Sequence, residues 1–136
     1  MNLVDTSGWI EYFFSGPNAA YFAKHISQTH QLLVPVVCLY EVFKKINVVA
    51  DEARALQAVA VMKQGHVVEV SEPIALDAAM VSIRHSLPMA DSMIYATARA
   101  HRALVWTQDE HFGNLPGVNY KPARTTASGR RRKRRR

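Results

Sequence analysis

Cysteine is almost absent from this chain: Cys38 is the single one in 136 residues. No internal disulfide can form, and a cysteine-rich zinc module is excluded. A reducing, cytoplasmic compartment is the natural expectation. Long apolar runs are missing too. The longest, Leu32 to Tyr40, is broken by Pro35 and is too short to cross a bilayer. The opening residues, Met1-Asn2-Leu3-Val4-Asp5, lack the basic stretch ahead of an apolar one that marks a signal peptide. No membrane segment is expected. The six glycines form no phosphate-cradling loop of the P-loop or dinucleotide kind. His25 and His30 stand five apart rather than four, so they do not share a helix face as zinc ligands would. No Ser-His-Asp or Cys-His arrangement has a supporting motif.

What is present suits one soluble domain. The length matches a single core, and about half the residues (49%) are apolar. The formal charge of +6 misleads, because seven of the 17 cations form one terminal run. Residues 1–129 hold 10 basic and 11 acidic side chains, so the body is nearly neutral. The domain is expected to end near Pro122. Residues 123–136 lack apolar surface to bury and are expected to be a disordered basic tail.

Within residues 1–122, short β-type runs alternate with helical ones. Leu3-Val4, Leu32-Leu33-Val34, Val67-Val68-Glu69-Val70, Ala103-Leu104-Val105-Trp106 and Val118-Asn119-Tyr120 read as strands. Val36, Leu39, Tyr40 and Phe43 recur at i, i+3, i+4, i+7, and Leu76, Ala79, Met80, Ile83 and Leu87 carry the same helical spacing. Residues 51–64 and 90–102 read as two more helices. This alternation predicts an α/β fold with a mostly parallel central sheet covered on both faces.

In such sheets ligands bind at the carboxyl ends of the strands. Asp5 ends the first strand, Glu41 lies on the helix after the second, Asp91 opens the helix that leads into the fourth, and Asp109 follows that strand. Each has a bland explanation. Asp5 can cap a helix and Asp109 a short turn. Asp91 suits a helix start through the dipole. Glu41 can pair with Lys45 at i+4. The shared location is what the bland readings leave unexplained. Two carboxylates roughly 5 Å apart repel by about 3 kcal/mol at an effective dielectric near 20, and a divalent cation removes that cost. An all-oxygen set suits Mg²⁺ or Mn²⁺ rather than Zn²⁺. Phosphodiester hydrolysis is then the first reaction to consider.

Asp5-Thr6-Ser7, Tyr40-Glu41-Val42, Pro88-Met89-Ala90-Asp91-Ser92 and Thr107-Gln108-Asp109-Glu110-His111-Phe112 resemble, in order, the acidic motifs of PIN-domain ribonucleases. The similarity is nearest to the toxins of VapBC-type toxin–antitoxin pairs and spans residues 2–121. It implies a three-layer α/β/α fold and Mg²⁺- or Mn²⁺-dependent endonuclease activity on RNA. It implies Asp5, Glu41, Asp91 and Asp109 as the catalytic acidic site, with Asp5, Asp91 and Asp109 as metal ligands. Thr6 and Thr107 are helpers whose hydroxyls hold a carboxylate, a water or a phosphate; helix-start and turn hydrogen bonding explains them equally well. A homodimer and a cognate antitoxin protein are implied as partners.

The tail Arg130-Arg131-Arg132-Lys133-Arg134-Arg135-Arg136 departs from what such chemistry requires. It reads as an arm for the RNA backbone, or as a solvated tail without function. Two alternatives are weighed against the nuclease. One is a catalytically inactive PIN-like RNA-binding or scaffold protein. The other is a receiver-like signalling domain, disfavoured because the third strand continues Glu69-Val70-Ser71 with no acceptor aspartate.

Overall fold

The β-branched and leucine-rich runs form five short strands in the computed structural model, which describes residues 1–124. They are β1 (Asn2–Val4), β2 (Leu32–Pro35), β3 (His66–Val68), β4 (Leu104–Thr107) and β5 (Val118–Tyr120). Six helices connect them: α1 (Thr6–Phe13), α2 (Ala19–Ile26), α3 (Val36–Val49), α4 (Glu52–Met62), α5 (Glu72–His85) and α6 (Met89–Ala100). Short 3₁₀ turns occupy Thr29–Gln31 and Glu110–Phe112. All five strands are parallel, in the order β3-β2-β1-β4-β5. Helices cover both faces, giving the three-layer α/β/α architecture expected from the alternation.

The sheet's central residues, Leu3, Val4, Leu33, Val34 and Val105, are buried. Gly8 sits where α1 crosses this core. A Cβ there would lie 2.6 Å from Val4 Cγ1 and 2.7 Å from Phe22 Cδ1, so only glycine fits. His25 is buried on α2 and stacks on Trp106, with ring centroids 3.6 Å apart. Among the described residues no helix is long and apolar enough to cross a membrane.

The strand order has one consequence for function. The chain moves outward from β1 to β3 and returns beside β1 as β4, so the direction of winding reverses between β1 and β4. That reversal opens a crevice at the carboxyl edge. Val4 pairs with Trp106, which sets Asp5 beside Thr107. Helices that run back against parallel strands start at this same edge, and α6 begins there with Asp91 in its first turn.

At the other end of the chain, the Asn18 side-chain amide donates to the Pro122 carbonyl at 3.0 Å, and Arg124 donates to Asn18 Oδ1 and to the Pro17 carbonyl. Contacts of the folded body therefore reach two residues past Pro122. The basic run Arg130–Arg136 lies outside the described residues.

Candidate active site

Asp5, Glu41, Asp91 and Asp109 come from four different elements and line one groove of about 950 Å³. Asp5 follows β1 directly and is only 2% exposed. It caps α1: Oδ1 accepts from the Gly8 amide at 3.1 Å and from the Ser7 hydroxyl at 2.8 Å. Its Oδ2 accepts from Thr107 Oγ1 at 2.9 Å. Burial, with a smaller contribution from Asp109, pushes its pKa up to about 7 against these stabilising hydrogen bonds.

Asp91 and Asp109 approach each other across the groove, with His111 between them. One ligand atom from each of the three residues lies within 4.8 Å of the others. His111 Nδ1 is 3.2 Å from Asp91 Oδ2 and 3.2 Å from Asp109 Oδ1. Burial and the charges of Asp109 and Glu41 raise the Asp91 pKa to about 6, partly opposed by His111. Asp109 also caps the turn that carries His111, accepting its backbone N–H at 2.9 Å. Asp5 stands outside this tighter triad, held inward by its three internal donors.

Glu41 does not pair with Lys45 as the i+4 spacing suggests. The Thr6 hydroxyl donates to its Oε1 at 2.5 Å. Thr6 therefore positions a carboxylate, one of the roles open to it. Thr107 does the same for Asp5 and also accepts the Asp109 amide at 2.9 Å, so one hydroxyl ties two acidic residues together. Cys38 is fully buried beside these groups, and burial together with the charges of Asp5, Glu41 and Asp91 pushes its thiol well above its ordinary range. It is a neutral packing residue, not a nucleophile.

Two further residues join the site. Ser7 bridges Asp5 and the Gln108 amide, and its signal was adjacency to Asp5 in a Ser/Thr turn. Sequence alone places His111 near Asp109, where it either serves the turn or touches a phosphate. The fold instead sets its ring against Asp91, 20 residues upstream.

The fold has counterparts. Residues 3–118 match the family model described as PIN domain. A toxin–antitoxin complex from Klebsiella pneumoniae contains a chain 26% identical, with a TM-score of 0.71 over 88% of this chain and 96% of that one. VapC20 of Mycobacterium tuberculosis, described as a sarcin–ricin loop cleaving toxin, is 18% identical, with a TM-score of 0.76 over 90% of this chain and 100% of that one. DNA-bound VapBC from Salmonella typhimurium is 15% identical, with a TM-score of 0.71 over 90% of this chain and 98% of that one. No curated protein matches the sequence significantly.

Proposed function

The chain belongs to the PIN-domain family, and on that premise we propose that it is a metal-dependent endoribonuclease acting as the toxin of a toxin–antitoxin pair. The observation that carries this reading is the convergence of Asp5, Glu41, Asp91 and Asp109 on one groove. Asp5 and Asp91 are held with pKa values pushed up to about 7 and about 6. Acids so crowded and desolvated are poised for a divalent cation, and the mainly oxygen donor set fits Mg²⁺ or Mn²⁺.

Asp5, Asp91 and Asp109 would hold the ion. Bound there, it supplies positive charge to neutralise the carboxylates and the charge developing on a phosphate oxygen. Thr107 fixes Asp5 through Oδ2, and Thr6 fixes Glu41 through Oε1. Glu41 Oε2 is then left to orient a water in the groove and accept its proton. His111, bridging Asp91 and Asp109, limits their mutual repulsion when protonated. RNA is the substrate favoured by the family, and the toxin–antitoxin descriptions of the similar structures support an antitoxin partner. Leu76, Met80 and Ile83, exposed along one face of α5 at i, i+4, i+7, support a homodimer contact.

The test is cleavage of a mixed cellular RNA pool with Mg²⁺ or Mn²⁺ and with chelator, wild type beside Asp5→Asn and Asp91→Asn. Metal-dependent cutting lost in both folded variants is the expected result. A folded, partner-free wild type that neither cuts RNA nor binds Mn²⁺ by calorimetry would establish an inactive scaffold instead.

A further inference from the structure

The acidic groove has an electrostatic problem that its carboxylates do not solve. An RNA strand is a polyanion, and the folded body brings it no net positive charge. Among the residues lining the groove only Lys44 and Lys45 are cationic, and both stand on α3 one turn past Glu41. A rise of 1.5 Å per residue puts them about 5 Å further along the helix axis. Neither is neutralised: the ion pairs among the described residues all involve His111.

Beside them is an unexplained aromatic. Tyr40 lines the groove and is 58% exposed, and its ring takes no part in the hydrophobic core. Its one recorded ring partner is the Lys44 ammonium, 5.6 Å from the centroid. One face is thus electrostatically engaged and much of the remainder is open. Exposed Met89, at the start of α6, adds further apolar lining.

Resting on the nuclease reading above, we propose that Tyr40, Lys44 and Lys45 form a nucleotide subsite next to the cutting position. Tyr40 stacks an unpaired base, and the two ammonium groups hold its phosphate. An aromatic platform flanked by cations is the arrangement that binds single-stranded nucleic acid. A base can reach it only where the RNA is unstacked, so the subsite selects loops and single strands over duplex.

The test uses the full chain and a single-stranded RNA oligonucleotide spanning a mapped wild-type cut site. KM and kcat are read across a salt series for wild type, Tyr40→Ala, Tyr40→Phe and the double variant Lys44→Ala/Lys45→Ala. Fluorescence anisotropy of the same oligonucleotide in chelator reads binding without cutting. Loss of one base stack in Tyr40→Ala should raise KM and the dissociation constant about 5- to 150-fold, with kcat moving far less. Tyr40→Phe should retain wild-type values. Removing two phosphate contacts should flatten the salt slope by about 1.4. A cutting enzyme whose KM and slope ignore these substitutions would overturn the subsite, as would variants that lose only self-association. Binding through these residues without any cutting would keep the subsite and remove the nuclease reading.

Discussion

Ionising Asp5 in the metal-free protein should cost stability, and the cost can be worked from its surroundings. The carboxyl is 2% exposed and its pKa stands near 7, against 3.8 in its ordinary state. A folded-state pKa above the unfolded one means the folded protein prefers the protonated acid. The associated stability is full below the unfolded pKa and is lost as pH rises through the folded one. Between pH 5 and pH 8 this amounts to about 3 kcal/mol. Asp91, with a pKa near 6, adds a smaller loss of the same sign. Asn at position 5 keeps an oxygen for the Gly8 amide but has no charge to bury. Urea unfolding in chelator at pH 5 and pH 8 should therefore show wild type falling by about 3 kcal/mol more than Asp5→Asn over that interval. Mn²⁺ at 100 times its dissociation constant should return about 2.7 kcal/mol to wild type at pH 8. The variant should gain much less. An Asp5→Asn protein with the same pH dependence as wild type would refute the reasoning.

Mn²⁺ binding should release protons near pH 6, because Asp5 and Asp91 must both ionise, and release should fade by pH 8; calorimetry in buffers of differing ionisation enthalpy measures the number. Thr107→Val should destabilise the protein by about 1–3 kcal/mol in urea titrations, since it strips a donor from a buried carboxylate and an acceptor from the Asp109 amide. Asp109→Asn and Asp109→Ala should both abolish metal-dependent cutting, but only the alanine variant should also lose about 0.5–1 kcal/mol through the missing turn cap. Deleting residues 130–136 should weaken binding to generic RNA at low salt, flattening a slope to which seven phosphate contacts on a single strand contribute about −5. Binding unchanged across a salt titration would mean that the run does not touch RNA.

The sequence made the strands legible because each pairs branched residues with a nearby turn or helix start. It made α3 and α5 legible as helices through their apolar spacing but not their core faces: Leu76, Met80 and Ile83 are exposed, while α5 buries Ile74 and Ala78 and α3 buries Cys38, Val42 and Ile46. It did not mark α2, where Ala19–Ile26 is only eight residues long and follows a Gly-Pro-Asn turn. β3 stops at Val68, short of the expected Val70, because Val70 packs with Ile74, Ala78 and Ala96 in a separate cluster away from the sheet. At the site, position along the chain predicted which acidic residues reach the carboxyl edge. It did not predict their companions. Ser7 and Thr107 meet only because β1 and β4 are neighbours, a fact of strand order that no local spacing contains. Nor did the i+4 spacing show that Glu41 would be held instead by a hydroxyl 35 positions away.

Asp5 and Asp109 show that the bland and the functional explanations of an acidic residue need not exclude each other. Each caps the element that follows it, as the sequence alone allowed. The cap fixes the carboxylate's rotamer, and the strand order aims two such fixed groups at one crevice. A flexible acid would lose side-chain entropy on gathering a cation; an acid already held by Gly8, Ser7 and Thr107 has little left to lose. The same holding explains why burial has not silenced Asp5: its donors lower a pKa that desolvation alone would drive higher. Helix capping is thus the means by which the fold preorganises its charge. Substitution by asparagine, which keeps the cap's oxygen and deletes the charge, is the change that separates the two roles.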